Sequence, residues 1–457
     1  MTGGDAFAGH RALVVGYGIS GRAAAEVLLA EGAQVRVSEA RRSEDLGTSG
    51  DDRVELLGGG HRPEHLDGAT LVLVSPGVPY GAPILTWARE RGLPIWGEVE
   101  LGARLCRVPY VAVTGTNGKT TTVELVARMM QAAGLAARAC GNIGFPFSLA
   151  TRDAFEALAV EVSSFQLAFQ ESLRPRVSVL LNLAPDHLDW HGSFATYGAA
   201  KSRIYAGQLP SEVHVGNRDD AAAAAVSRQA PCSVHWFGMG WPTSMGVGLI
   251  EDRLVARTAA GDLEMSLGAN ARQGRAFRLD AAAAAASALA FGLEPAAVGS
   301  AVQSFEPLPY RGTVVAVVGS VQFVDDSKAT NPHAALASLD GRTGTVLIAG
   351  GRSKGVDLSP LAAAAPDLVA VVAIGEAAPQ LAAVFEGLVP VRTATSLEEA
   401  VAAALRLSPR DGTVLLAPAC ASQDMFRDYR ERGDRFAAAA RALTDGASIG
   451  QPGRAHA

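Results

Sequence analysis

Short apolar runs rich in Val, Ile and Leu recur along the chain, and most break into glycine, proline, serine or aspartate. Residues 11–15, 34–38, 70–74, 157–162, 177–183, 211–217, 321–324, 344–350, 368–375 and 412–418 carry this pattern and predict strands. Between them lie helical patterns at 22–31, 119–133, 194–205, 276–291 and 293–302. Repeated strand–helix alternation predicts an α/β fold built on largely parallel sheets. Residues 240–270 read differently, as short alternating strands of a side sheet. The segment P-I-W-G-E-V-E-L at 94–101 closes a first unit, and its glutamates read as surface or hinge groups. Boundaries near 106 and 305 divide the chain into three domains, 1–106, 107–307 and 308–457. Fraying is expected from about residue 445.

The 457 residues exceed one ordinary core, in keeping with three domains. Apolar residues make up 48% and charged residues 19%, enough for large cores and too ordered a composition for extended disorder. The net charge of -6, with no basic block, argues against nucleic acid as the main partner. Four scattered cysteines (Cys106, Cys140, Cys232 and Cys420) lack metal-like spacing and suit a reducing compartment. The first residues lack a basic-then-apolar leader and no stretch reads as a membrane span, so a cytoplasmic protein without membrane insertion is expected.

Chemistry concentrates at residues 111–122, V-A-V-T-G-T-N-G-K-T-T-T. A β-branched run there breaks into a glycine-bearing turn and opens a helix. Such a turn aims backbone N–H groups and a helix N-terminus at phosphate oxygens, with a lysine ammonium beside them. The usual pattern has glycine six residues before the lysine. Val113 stands there instead, so the loop carried by Gly115, Thr116, Asn117, Gly118, Lys119, Thr120 and Thr121 is shortened. Glu161 lies inside an apolar run, where a carboxylate requires hydrogen bonds, a cation or a metal; beside a loop suited to the phosphates of ATP or GTP, magnesium is the simplest partner. Asn142 sits in a second glycine loop, 140–144.

Residues 186–191, D-H-L-D-W-H, end a strand and invite a zinc reading, but their spacing matches no common zinc signature and magnesium beside ATP competes with it. His187 is the functional candidate there, whereas His191 reads as a packing histidine. The first domain carries G-Y-G-I-S-G at 16–21, with Glu39 at the end of the second strand. This pattern suits a dinucleotide, another nucleotide or a nucleotide-sugar. In the third domain, D-D-S-K-A-T-N (325–331), G-G-R-S-K (350–354) and A-C-A-S-Q-D-M-F (419–426) follow three strands and predict an active face.

Taken together, T-G-T-N-G-K-T-T, E-V-S-S-F-Q-L, N-x-x-x-D-H at 182–187, L-P-Y-R at 308–311 and D-D-S-K-A-T-N resemble the Mur ligase family. The G-N-I-G loop and P-A-C-A-S-x-D-M-F point to members that add D-glutamate to UDP-N-acetylmuramoyl-L-alanine. The resemblance implies Rossmann-like N- and C-terminal domains around a central ATPase-like domain. They would bind the UDP substrate, glutamate and ATP respectively, with two magnesium ions, in a monomer. Gly18, Ile19, Ser20, Glu39, Asn142 and His187 would contact the UDP substrate. The phosphate loop, Arg311, Asp326 and Lys328 would contact ATP. Thr330, Lys354, Ser422 and Tyr429 would contact glutamate.

Thr120, Glu161, His187 and a carbamylated Lys201 would hold the metals, and Lys119, His187 and Lys201 would serve catalysis. The reaction implied is phosphoryl transfer to the alanyl carboxylate, then attack of the glutamate amine on the acyl phosphate. Hinges near 106 and 305 would allow closure. The sequence departs from the family at Ala276, Phe277 and Asp280, near the expected adenine pocket, and at Tyr310, Gln423 and Glu39.

Overall fold

The computed structural model describes residues 6–42 and 53–448; the expected fraying of the tail falls largely outside them. Three sheets carry the fold. The first contains β1 (Arg11–Val15), β2 (Gln34–Ser38), β3 (Val54–Leu57), β4 (Leu71–Val74) and β5 (Ile95–Gly97), all parallel, in the order β3-β2-β1-β4-β5. The order reverses beside β1, so the turn after β1 opens at the switch point where α/β sheets bind ligands.

The second sheet contains β6 (Tyr110–Thr114), β7 (Ala137–Gly141), β8 (Ala157–Glu161), β9 (Val177–Leu180), β10 (Val213–Asn217), β11 (Ser233–Met239), β12 (Gly246–Ile250), β13 (Arg253–Thr258) and β14 (Gly261–Ser266). Its order is β14-β13-β12-β11-β10-β9-β6-β8-β7. The side sheet expected over 240–270 is therefore corrected. β12 pairs parallel with β11, and β13 and β14 continue the same sheet antiparallel. Residues 233–239 form the missing link.

The third sheet contains β15 (Thr313–Val318), β16 (Val321–Asp325), β17 (Thr345–Gly350), β18 (Leu368–Ile374), β19 (Val391–Thr393) and β20 (Thr413–Leu416), ordered β15-β16-β20-β17-β18-β19. Only the β15–β16 pair is antiparallel. β16, β20 and β17 are neighbours, which brings the three polar strand ends of this domain together. The arrangement is a three-domain α/β architecture whose outer domains are Rossmann-like and whose central domain is of the nucleotide-binding type.

The chain forms two compact units. One holds Met1–Leu183, Trp190–Ala271 and Leu279–Phe305; the other holds Ala184–Asp189, Arg272–Arg278 and Glu306–Ala457. Both sides of the junction near residue 106 lie in the first unit. The glutamates read as surface or hinge groups are buried there instead. Glu100 is fully buried, with Oε2 accepting from the Glu171 and Ser172 N–H groups and Oε1 from Ser172 Oγ and Arg104 Nε. Glu98 Oε1 accepts from the Ser148 N–H at 2.6 Å, and burial pushes its carboxyl pKa up. The helix Glu98–Leu105 thus ties the first sheet's domain to the second through buried hydrogen bonds. Among the described residues, no helix is long and apolar enough to cross a membrane.

Candidate active site

β6 is buried from end to end and lies between β8 and β9, so the loop after it is flanked by the ends of both. The pairing sets Val113 opposite Glu161. The loop is braced on the β9 side by Asn182, whose carbonyl accepts from the Thr116 N–H at 3.0 Å. Its side chain accepts from the Asn117 N–H at 2.8 Å and donates to the Asn117 carbonyl at 3.1 Å.

Gly118 caps the helix Lys119–Ala132 at φ 84°, a left-handed conformation that strains other residues. A Cβ there would lie 2.1 Å from Asp280 Oδ1, so the glycine is also required by space. The first-turn amides of such a helix lack intrahelical acceptors and suit phosphate oxygens. The Lys119 ammonium arches over the loop, donating to the carbonyls of Gly115 (2.9 Å) and Thr116 (2.8 Å).

Thr120, Glu161 and Asn142 meet at the start of this helix. Glu161 is 2% exposed; its Oε2 accepts from Thr120 Oγ1 and its Oε1 from Asn142 Nδ2, both at 2.8 Å. The Asn142 N–H also donates to the Glu161 carbonyl. Two neutral donors thus orient the Glu161 carboxylate next to the glycine turn. Among the described residues no group of three or more His, Cys, Asp or Glu forms a metal cage. The set of one carboxylate and one hydroxyl still fits magnesium, which prefers few protein oxygens and completes its shell with water and phosphate.

Lys201 comes from the helix Phe194–Ser202, started by Ser193, whose side chain accepts from the Thr196 N–H. It is 1% exposed and donates to the Gly115 carbonyl at 2.7 Å and Thr114 Oγ1 at 3.4 Å. Its ammonium lies 4.7 Å from the centre of the Tyr197 ring, and the Tyr197 hydroxyl is 3.1 Å from Thr116 Oγ1. Both candidate lysines therefore converge on Gly115. His191 packs as expected, stacked on Phe165 and hydrogen-bonded to Ser164.

At the β1 turn, Gly18 caps the helix Ile19–Ala30, with Ile19 73% exposed and Ser20 following it. A Cβ at Gly21 would lie 2.0 Å from the Gly16 carbonyl, so the close approach admits only glycine. Glu39 holds this turn from below: Oε2 accepts from the Tyr17 N–H at 2.7 Å, and Arg41 donates from its backbone and guanidinium. Burial raises the Glu39 pKa, but Arg41 and the Tyr17 N–H outweigh it and hold the value at about 2. Ser38 links two imidazoles, each 2.8 Å from its hydroxyl, His61 and His65.

In the second unit, Asp186 is 4% exposed and its Oδ1 accepts from Lys354 Nζ at 2.6 Å and from the His187 N–H at 2.9 Å. Asn331 Nδ2 donates to Oδ2 at 3.1 Å. Burial raises the Asp186 pKa, yet the Lys354 ammonium and His187 outweigh it and lower the value. His187 and Lys354 both adopt left-handed backbones, φ 54° and 57°.

The loops bearing Thr330, Lys354 and Ser422 are bonded to one another. Arg352 and Ala421 exchange both backbone bonds at 2.9 Å, and the Ala419 N–H donates to the Ala329 carbonyl. Lys328 Nζ lies 4.2 Å over the Tyr429 ring. Burial pushes Asp326 up to about 6, against the Ser338 hydroxyl bonded to it and the nearby Arg311 and Arg342.

Asn182, Tyr197 and Asn331 were not assigned roles by the sequence. Asn182 opens the N-x-x-x-D-H pattern and Asn331 closes D-D-S-K-A-T-N, and those positions were the available signals.

The Mur ligase MurD-like N-terminal domain matches residues 10–97, the Mur ligase middle domain residues 113–249, and the Mur ligase glutamate ligase domain residues 310–420. The chain is 43% identical over 462 residues to a UDP-N-acetylmuramoylalanine–D-glutamate ligase of Frankia casuarinae, covering 97% of this chain and 96% of that protein. It is 41% identical to the ligase of the same name from Streptomyces coelicolor, covering 96% and 99%. Among solved structures, UDP-N-acetylmuramate-alanine ligase of Thermotoga maritima superimposes with a TM-score of 0.59 at 19% identity, over 94% of this chain and 99% of that one. The Thermotoga maritima MurF ligase in complex with ADP gives a TM-score of 0.59 at 16% identity, over 98% of each chain. At these identities the two structures speak for the fold.

Proposed function

The chain belongs to the Mur ligase family and is an ATP-dependent amide ligase, and on that premise we propose that it joins D-glutamate to UDP-N-acetylmuramoyl-L-alanine in peptidoglycan precursor synthesis. The observation that carries this reading is the convergence of Lys119, Lys201, Thr120 and Glu161 on one phosphate loop.

A carboxylate is a poor electrophile, since it is anionic and has no adequate leaving group. Transfer of the ATP γ-phosphoryl to the alanyl carboxylate makes an acyl phosphate, and the glutamate amine then displaces phosphate from its carbonyl carbon. The loop from Gly115 to Thr121 cradles the phosphates, and Lys119 turns from the loop carbonyls to the transferring group, offsetting its charge. Thr120 and Glu161 would hold magnesium, which when bound would supply further positive charge to the phosphates. Asn142 fixes the direction of Glu161. Lys201, as a carbamate, is assigned to a second magnesium.

In the first unit, the turn at Gly18, Ile19 and Ser20 receives the uridine diphosphate, with Glu39 shaping the turn rather than reaching out of it. In the second unit, His187 is assigned to the acyl end of the substrate. Thr330, Lys354, Ser422 and Tyr429 are assigned to glutamate, and Arg311, Asp326 and Lys328 to the nucleotide. The enzyme acts as a cytoplasmic monomer.

Purified protein with ATP, magnesium and UDP-N-acetylmuramoyl-L-alanine should release phosphate when D-glutamate is added and not when L-glutamate is. Release with neither enantiomer overturns the proposal.

A further inference from the structure

Arg432, in the helix Tyr429–Ser448, is the largest fully buried side chain among the described residues. A guanidinium out of water requires compensation, and the common solution is a carboxylate in a forked pair. Arg432 is not compensated that way: among the described residues it makes no ion pair within 4.0 Å. Its hydrogen bonds run to two loops. Nε donates to Ser327 Oγ at 3.1 Å, Nη2 to the Ser327 carbonyl at 2.9 Å, and Nη1 to the Cys420 carbonyl at 3.2 Å. Burial pushes its pKa down to about 10, so the charge persists at neutral pH.

Ser327 is itself fully buried and its hydroxyl donates to the Tyr429 carbonyl at 2.8 Å, which closes the arrangement onto the start of the same helix. Next to Cys420, Ala419 holds a left-handed backbone at φ 58°. A non-glycine residue stays in that region only where its surroundings fix it. A planar fork with several donors at fixed angles can set the spacing of two peptide segments; a flexible ammonium cannot.

We infer that Arg432 is a positioning residue for the amino-acid half of the reaction. It fixes the loop carrying Thr330 against the loop carrying Ser422, so that both are presented together to a dicarboxylic amino acid. This rests on the glutamate-binding role proposed above, but the positioning itself can be read without substrate.

The test uses the full-length protein with Arg432→Met, Arg432→Lys and Ser327→Ala, the last removing one acceptor and leaving the arginine. Hydrogen exchange should quicken by about tenfold in residues 326–331 and 419–422 together in Arg432→Met, and stay unchanged in 119–132. The KM for glutamate should rise about tenfold or more in Arg432→Met. At saturating ATP, which offsets any loosening of Asp326 and Lys328 in the same loop, formation of acyl phosphate without glutamate, trapped with hydroxylamine, should stay within about threefold of the parent enzyme. Arg432→Lys should fall between, and Ser327→Ala should shift in the same direction. Unchanged exchange in the two loops, or an unchanged glutamate KM in an active variant, overturns the inference. Exchange and KM effects spread evenly over the whole protein and all substrates overturn it as well, since they mark a merely structural arginine. If the parent enzyme turns over neither glutamate enantiomer, the functional reading fails, and the exchange comparison alone decides the positioning.

Discussion

Lys201 Nζ donates to the Gly115 carbonyl at 2.7 Å, so a lysine only 1% exposed lies directly beneath the phosphate loop. A buried lysine is exceptional unless its environment uses it. Lys201→Met should lower phosphate release by at least about a hundredfold, on the scale of losing one charge-stabilising group. Labelled bicarbonate should give a carbamate carbonyl signal in carbon NMR that Lys201→Arg lacks. Absence of that signal in the active parent enzyme removes the carbamate.

Glu161 is gripped through both carboxylate oxygens by Thr120 and Asn142. Glu161→Gln keeps the volume and removes the charge. The magnesium concentration for half-maximal rate should rise about tenfold or more, and Asn142→Ala should give a smaller rise in the same sense. Titration of activity with magnesium at saturating ATP checks this, and superimposable curves would refute the metal assignment.

The buried Glu100 carboxylate satisfies two backbone N–H groups, a serine hydroxyl and Arg104. Glu100→Leu leaves those donors without their acceptor. Breaking such a buried network should destabilise the protein by about 3 kcal/mol. Urea unfolding would show it, and a loss under about 1 kcal/mol would mean that water or rearrangement replaces the carboxylate.

His214 is fully buried between the hydroxyls of Ser178 (2.7 Å) and Ser227 (2.9 Å), and burial depresses its pKa to about 3. The folded protein thus keeps the ring neutral where the unfolded chain, with an ordinary value near 6.5, takes up a proton. Above that value the two states bind equally and His214 has no pH effect. Between about pH 6.5 and 3 it should remove about 1.4 kcal/mol of stability per pH unit. Unfolding measured across this range should slope less steeply in His214→Gln, and equal slopes would contradict the buried neutral ring.

The glycine turns, the phosphate loop and most strands were legible because each depends on local chemistry. Gly118 and Lys119 carry their signal within a few residues, and β17, β18 and β20 are uninterrupted apolar runs. Strands such as β3 and β19, of four and three residues, were too short to show a period. Glu98 and Glu100 read as surface residues because nothing nearby in sequence reveals Ser148, Glu171 or Ser172, their partners far along the chain. The same holds for Arg432, more than a hundred residues from Ser327. In the candidate site, the lysines, threonines and carboxylate gathered at the loop were recognisable by type. Those that brace them, Asn182 and Tyr197, were not, since amides and tyrosines serve many purposes. Glu39 was recognised by position, but its inward commitment to Tyr17 and Arg41 depends on the fold.

The fastening at Glu98 and Glu100 puts the turn at Gly16–Ser20 and the loop at Gly115–Thr121 into one compact unit. With the nucleotide tail seated at the first turn and the phosphoryl group at the second loop, as proposed above, the span between them would be set by the protein and not by the ligand. The first unit would then act as a gauge: a precursor of the right length would bring its carboxylate to the phosphate, and one shorter or longer by a sugar or a residue would be bound without being activated.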